Sequence, residues 1–267
     1  MSMETFGSLI SPYDVRDYHI AGVAAEYPEA FELETVPVKN QGTNSSCVAH
    51  ACAILVEYFN LIQQHNDTKF STEFIYGYRP TGYYVGDGMY LRDALKTLQK
   101  VGVPPLDLLR GNHSYEVAMK NVEENLEELK EHAYPHRIST YMRVNSIKEV
   151  KEALTKYGYV VCSMPWHSDY KLVGGVYTYD STKKKGNHAV VIYGWNNKGW
   201  LVQNSWGKSW GDDGRFIIPF DFKWNEKWAI TDTIINDGDI IKPIEKWYVK
   251  LFNKIINFFG NLFSKKK

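Results

Sequence analysis

The sequence predicts an α+β fold made of two lobes with a cleft between them. Helical patterns dominate up to about residue 157, and short β-branched and aromatic segments separated by Gly, Asn and Asp dominate after it. Such a division of helices and strands along one chain is typical of α+β architecture. With 267 residues, of which 44% are hydrophobic, the chain is long enough for one large domain or two packed lobes.

Four segments have apolar residues at helical spacing. The first contains neither Gly nor Pro and should be largely buried, whereas the third is mostly polar. Ser146 with Glu149 three residues later is the signature of a capping box and marks the start of the fourth. The predicted helices cover residues 46–64, 90–102, 117–132 and 147–157.

The strands are predicted from runs rich in Val, Ile, Tyr and Trp. They cover residues 159–164, 174–179, 188–195, 199–206 and 214–219. The resulting division of the chain is an N-terminal extension (1–36), a helical lobe (37–135), a β-rich lobe (136–237) and a C-terminal helix (238–267).

Composition excludes several classes of protein. The formal net charge is zero, which gives no indication of nucleic-acid binding. Three cysteines (Cys47, Cys52 and Cys162) are too few for a disulfide framework and indicate a reducing environment. The N-terminus lacks the pattern of a secretory signal, and no apolar run approaches the ~20 residues that a membrane-spanning helix needs. We expect a cytoplasmic or membrane-surface location, and neither a metal nor an organic cofactor.

The C-terminal segment, residues 240–267, differs in charge from the rest of the chain. It contains seven Lys and one Glu, and its apolar residues share one helical face. Three uses of this basic amphipathic helix remain open: binding to an anionic membrane surface, binding to a partner protein or a second copy, and docking on its own body.

The residues around Cys47 predict a nucleophile. Cys47 stands where a loop of small polar residues becomes the first predicted helix, and a helix N-terminus favours the thiolate over the thiol. A nucleophilic cysteine also needs a general base with an orienting partner. His188 at the start of one predicted strand and Asn204 at the end of another are candidates for these two roles.

The motifs QGTNSSC, NHAVVIYGW and QNSWGKSWGDDGRF resemble those of the papain-like (C1 family) cysteine peptidases. The resemblance covers roughly residues 36–235, and the segment SPYDVRDY resembles the N-termini of bacterial and phage-type members without a long propeptide. It implies a helical lobe with a central helix, a lobe like an antiparallel β-barrel, and a cleft between them.

The resemblance also implies roles for individual residues. Cys47 would be the nucleophile, His188 the base and acid, Asn204 its orienting partner and Gln41 the oxyanion donor, with Trp206 shielding the His188–Asn204 bond. Three glycines, Gly207, Gly211 and Gly214, would form tight turns. The substrate would contact Gly86, Gly88, Met89, Tyr90, Val161, Ala189 and Trp206.

Two departures from the family pattern affect the expected regulation and location. Asn44 stands where the family usually has a disulfide-bonded cysteine. Only 40 residues precede Gln41, so a long inhibitory propeptide, and control by its cleavage, are not expected.

Three functions remain open on the sequence. The first is peptide-bond hydrolysis through an acyl-enzyme, with an apolar residue two positions before the cut as the family default. The second is the same chemistry on other acyl groups, as in an isopeptide or amide hydrolase or a transpeptidase. The third is a tail-anchored binding module in which catalysis is dispensable.

Overall fold

The computed structural model describes residues 6–20, 26–80, 84 and 86–234. These residues belong to one compact unit, Met1–Ile234, and a second unit comprises Ile235–Lys267. The predicted C-terminal helix, 238–267, therefore lies outside the described residues.

The first half of the described chain is helical. Its central element, α1 (Cys47–Gln64), is buried from Cys47 to Asn60, as its run of apolar residues predicts. The other helices are α2 (Thr72–Gly77), α3 (Leu91–Lys100), α4 (Tyr115–Glu124) and α5 (Leu126–Ala133), followed by a 3₁₀ turn (Tyr134–His136). The single helix predicted over 117–132 is in fact two, because Asn125 leaves the helical region with φ −127° and ψ 23°.

The last helix, α6 (Ile147–Lys156), begins as the sequence predicts. Ser146 accepts a hydrogen bond from the Glu149 backbone N–H at 3.2 Å, and the Glu149 carboxylate accepts one from the Ser146 backbone N–H. This is the reciprocal arrangement of a capping box. The expected helix start is thus confirmed.

The strands are β1 (Ser8–Leu9), β2 (Phe31–Glu32), β3 (Met89–Tyr90), β4 (Arg137–Arg143), β5 (Val160–His167), β6 (Lys171–Val173), β7 (Val176–Thr178), β8 (Lys184–Asn196), β9 (Gly199–Gln203), β10 (Arg215–Ile218) and β11 (Glu226–Ile234). Among the described residues, the larger sheet has the order β4-β11-β5-β8-β9-β10-β7-β6, and β2 pairs with β8. Its pairs are antiparallel except β7 with β10.

Two hydrophobic clusters meet at the larger sheet. One contains α1 together with residues of α2, α3 and the face of β5 and β8 that carries Val161 and Ala189. The other lies on the opposite side of these strands and contains residues of α6 and most of the buried tryptophans. The α+β prediction is confirmed by this arrangement, in which the start of α1 faces the sheet. In the described part of the chain, no helix combines the length and hydrophobicity needed to cross a membrane.

The N-terminal residues are integrated into the fold and are more than an extension. The strand β1 forms a two-stranded parallel sheet with β3, and β2 extends the larger sheet. Asp17 is buried between two guanidinium groups, with its carboxylate accepting from Arg92 Nε at 3.0 Å and from Arg143 Nε at 2.7 Å. These contacts fix residues 11–20 against α3, β4 and β11.

Candidate active site

Cys47 is the first residue of α1 and is fully buried. The backbone N–H groups of Ala189, Gly7 and Val48 lie close enough to the Cys47 sulfur to favour the thiolate. Burial has the larger effect, however, and raises the pKa of the Cys47 thiol to about 11. The structure therefore does not have the lowered pKa of Cys47 that the sequence predicts from the helix N-terminus.

His188 and Asn204 come together at the edge of the sheet. His188 lies in β8, and its Nε2 is 2.7 Å from Oδ1 of Asn204, which follows β9. Both side chains are fully buried, and His188 Nδ1 has no hydrogen-bond partner among the described residues. Burial lowers the pKa of His188 to about 4, although the bond to Asn204 opposes the shift. The Ala189 N–H that reaches the Cys47 sulfur places the thiol beside His188.

Trp206 packs against the His188 ring. Its ring centroid lies 4.6 Å from that of His188 at an interplanar angle of 36°, and only 8% of the residue is exposed. The turns after it contain three glycines with positive φ: Gly207, Gly211 and Gly214. Left-handed backbone of this kind is readily adopted by glycine.

Gln41 is connected to Asn204 through Ser205, a residue that the sequence reasoning missed. The Ser205 hydroxyl donates to Gln41 Oε1 at 2.8 Å, and the Ser205 backbone N–H donates to Asn204 Oδ1 at 2.8 Å. The Gln41 Nε2 in turn donates to the Asn44 carbonyl at 2.9 Å. Because the Asn44 carbonyl can only accept, this bond orients the Gln41 amide with Nε2 toward Asn44 and Oε1 toward Ser205. Its position directly after Asn204 was the available signal.

The chain's own N-terminal residues, Phe6–Leu9, lie across the thiol; we refer to them as the strap. Phe6 packs with its ring centroid 6.5 Å from those of His188, Trp166 and Trp206. Next, Gly7 directs its N–H to the Cys47 sulfur. The strap therefore fills the surface on both sides of the thiol.

The second half of the strap follows the predicted substrate wall. The Gly7 carbonyl accepts the Met89 N–H at 2.7 Å, and Ser8 and Leu9 pair with Met89 and Tyr90 as β1 with β3. A Cβ added to Gly88 would lie 3.0 Å from the Gly7 oxygen. These residues form a wall, but the strap now contacts it in place of a substrate.

After the strap, residues 11–20 are held by hydrogen bonds and ion pairs; we refer to them as the anchor. Ser11 donates from both its backbone N–H and its hydroxyl to Glu226 Oε1 at 3.0 Å, and it accepts the Arg92 backbone N–H at 3.2 Å. The Asp17 ion pairs with Arg92 and Arg143 follow along the chain. Residues of the anchor are thus held by groups on β11, α3 and β4.

The remaining residues that were predicted to contact the substrate lie in different environments. Gly86 is exposed with φ 69°, and Ala189 is buried next to Cys47. Val161 packs in the core cluster that contains α1. Ser163, two residues further along β5, contacts the strap through the Ser8 hydroxyl at 2.8 Å, and Trp166 of the same strand contacts Phe6.

The sequence predicts no long inhibitory propeptide, and the structure places a short segment of the chain over the thiol. Although only 40 residues precede Gln41, four of them cover the thiol, and the next ten or so anchor them. The sequence reasoning considered length alone. A segment that merely crosses the groove needs only a few residues.

Within the described residues, no group of three or more His, Cys, Asp or Glu side chains is arranged to hold a metal ion. The three cysteines are free and buried.

Comparisons with known proteins agree with this geometry. The family model for the papain family cysteine proteases matches residues 28–232. An uncharacterized peptidase C1-like protein of Acanthamoeba polyphaga mimivirus is 29% identical over 230 residues, which cover 75% of this chain and 72% of the relative. Cathepsin B-like cysteine proteinase 3 of Caenorhabditis elegans is 41% identical over 78 residues, which cover 27% of this chain and 21% of that protein.

Among solved structures, xylellain, a cysteine protease from Xylella fastidiosa, superposes with a TM-score of 0.76 at 22% identity. The match covers 86% of this chain and 96% of that one, which shows a shared fold. The resemblance noted in the sequence and its two-lobe fold are confirmed. The chain belongs to the papain family of cysteine proteases and is a hydrolase of the cysteine-peptidase type.

Proposed function

We propose that the chain hydrolyses peptide bonds through an acyl-enzyme on Cys47, with His188, Asn204 and Gln41 as its partners. The observation that carries this proposal is the His188 side chain. Its Nε2 is bonded to Asn204, while its Nδ1 has no hydrogen-bond partner among the described residues, and Ala189, the next residue along β8, lies close to Cys47 at the start of α1. An imidazole held at one nitrogen and available at the other suits a general base next to a thiol.

In this reaction, His188 takes the proton of the Cys47 thiol, and the sulfur attacks the scissile carbonyl carbon. The developing oxyanion receives hydrogen bonds from the Cys47 backbone N–H and the Gln41 amide, which has two N–H donors. As the C–N bond breaks, the His188 imidazolium gives its proton to the leaving amine. Water activated by His188 then hydrolyses the thioester and regenerates the thiol. Asn204 keeps the imidazole oriented throughout.

With the strap in place, Cys47 and His188 do not form a thiolate–imidazolium pair. With the pKa of Cys47 raised to about 11 and that of His188 lowered to about 4, both groups are neutral at pH 7. Burial disfavours the charged form of each group, so both shifts have the same cause. Removal of the strap admits water to the thiol, and the thiolate–imidazolium pair then becomes accessible.

The strap runs in the wrong direction to be cleaved. In the proposed mechanism, the part of a substrate that follows the scissile bond lies beside His188, the proton donor to the leaving amine. The part that precedes it lies along Met89 and Tyr90. In the strap, the earlier residue Phe6 is the one beside His188, and the later Leu9 is beside Tyr90. Cys47 consequently faces an N–H group and not a carbonyl carbon. We infer that the strap inhibits the enzyme without being a substrate.

The test is hydrolysis of a diverse fluorogenic peptide library in reducing buffer by the full-length chain, its Gly7→Ala variant and the double variant Gly7→Ala/Cys47→Ala. We expect hydrolysis by the first two and none by the third. In parallel, mass spectrometry follows labelling of Cys47 by a thiol-reactive epoxide. A folded Gly7→Ala chain that shows neither hydrolysis nor labelling at Cys47 would refute the proposal. Labelling together with cleavage of isopeptide but not peptide substrates would favour the amide-hydrolase alternative.

For residues 240–267 we propose contact with an anionic membrane surface, on the basis of their charge and amphipathic pattern. The test is sedimentation with vesicles containing phosphatidylserine, comparing the full chain with a chain that ends at residue 239. We expect only the full chain to sediment with them. Equal sedimentation of both chains would exclude this role and leave a partner protein or a second copy to be tested.

A further inference from the structure

The contacts of the strap indicate which chemical groups line the groove that it fills. Ser8 follows Gly7, whose N–H contacts the Cys47 sulfur, and is 4% exposed. Its Cα is paired with Met89 on one side of the groove, and its hydroxyl donates to Ser163 on the other. Ser8 therefore marks the position one residue away from the thiol along the Met89 wall.

The bottom of the groove below Ser8 is a hydrogen-bonded polar network. Ser163 Oγ accepts from Ser8 Oγ at 2.8 Å and from Asn225 Nδ2 at 3.2 Å, and Asn225 Nδ2 also lies 3.1 Å from Asn187 Oδ1. The Asn225 backbone N–H donates to the Ser163 carbonyl at 2.9 Å, which ties the two residues together. When the strap leaves, Ser163 keeps Asn225 but loses the donor that Ser8 supplies.

The groove is also shallow at the position of Ser8. One C–O bond of about 1.4 Å and the 2.8 Å hydrogen bond place the Ser8 Cβ within about 4 Å of Ser163 Oγ. A Leu or Phe side chain at the same height would overlap this oxygen. It would also cover a buried hydroxyl without replacing its hydrogen bond, which is unfavourable.

We propose that Ser163 selects substrates with a hydroxyl side chain, Ser or Thr, two residues before the scissile bond. The proposal rests on the proposed function, because that mechanism places the residues before the cut along the Met89 wall. A substrate there takes the place of Ser8 with the opposite chain direction, and its hydroxyl donates to Ser163 Oγ. This differs from the apolar residue that the family default predicts.

The test uses matched fluorogenic peptides that differ only at this position, with Ser, Thr, Ala, Leu or Phe, and the full-length chain in its wild-type and Gly7→Ala forms. We expect kcat/KM for Ser to exceed that for Ala by about fivefold to tenfold, the usual effect of one hydrogen bond, and that for Leu or Phe by more. In Ser163→Ala the Ser-to-Ala ratio should fall to about one. Ser139→Ala, at an exposed serine of β4, is the matched control and should leave the ratio unchanged.

A second measurement does not use a substrate. Replacing Ser8 with Leu should displace the strap and speed epoxide labelling of Cys47 at least fivefold, whereas Ser8→Thr should label like wild type. A preference for Leu or Phe, or a Ser-to-Ala ratio that survives in Ser163→Ala, would overturn the inference while leaving the peptidase proposal intact. Absence of all hydrolysis would instead overturn the proposed function, and the inference with it.

Discussion

Replacing Gly7 with alanine should make the enzyme more active, the opposite of what most substitutions beside a catalytic residue do. A Cβ at this position would overlap the carbonyl group of Ser45 and lie 2.9 Å from the Ser45 Cα. The clashing atoms belong to backbone immediately before α1 and cannot move aside as a side chain could. The strap, held by short pairings, is the part that can leave.

The expected size of the effect follows from the cost of overpacking. Forcing an extra methyl group into a filled site costs about 1–3 kcal/mol. If this cost falls on the closed state alone, the ratio of open to closed molecules rises about 5-fold to 150-fold, since about 1.4 kcal/mol is a factor of ten. The strap competes with substrate for one groove, so KM should fall by up to this factor while kcat stays unchanged.

The assay is initial-rate kinetics on a fluorogenic peptide over a wide range of concentrations. Ser139→Ala is the control, because Ser139 is an exposed residue of β4 outside the strap and the groove. It should leave KM unchanged. If Gly7→Ala lowered kcat or left KM at the wild-type value in a chain of unchanged melting temperature, the strap would not be a competitor for the substrate groove.

Three further predictions test other parts of the site. Because the pKa of Cys47 is raised to about 11 by burial, alkylation of the wild-type thiol should stay slow through pH 9 and accelerate only toward pH 11, whereas in Gly7→Ala the acceleration should begin at lower pH; identical profiles would contradict the electrostatic role of the strap. Gln41→Ala should lower kcat about 10²–10³-fold and Ser205→Ala about fivefold, with Ser205→Thr restoring the rate; near-wild-type kcat in Gln41→Ala would remove its oxyanion role. Asp17→Asn leaves two largely buried guanidinium groups with a weaker partner, so we expect a loss of about 3–5 kcal/mol in the free energy of unfolding, measured with urea; Asp14→Asn, which loses only an ion pair with the exposed Arg16, should change little, and equal effects would show that the Asp17 ion pairs are not important for stability.

The elements that the sequence predicts well are those with local causes. The start of α1, the capping box at Ser146 and the β-branched and aromatic runs of β5, β8, β9 and β10 depend on neighbouring residues, and the structure contains them. The strands β4 and β11 were missed because they carry many polar residues and are stabilised by pairing with each other and with β5.

The strap illustrates why part of the site was not predictable. Its strand is two residues long, which is too short for any periodicity to register. Its partners, Met89, Ser163 and Glu226, are distant in the sequence, so no local pattern connects them to it. The motifs around Cys47, His188 and Asn204 could be recognised in the sequence, but the state of the thiol could not. The helix N-terminus favours a thiolate, and the structure shows that the burial of Cys47 outweighs this effect.

The strap and the anchor are held to the rest of the protein by contacts of different kinds. The anchor at Ser11 and Asp17 is held by buried charged groups, whereas the strap is held by one short strand pairing, a serine hydroxyl and the ring of Phe6. The strap can therefore leave while the anchor stays, which keeps its local concentration high and makes its return an intramolecular event. Substrate has to compete with it in the groove, and opening restores the water that the thiolate–imidazolium pair needs. We therefore expect that activation needs no cleavage of the chain and that a sufficiently tight substrate displaces the strap by competition alone.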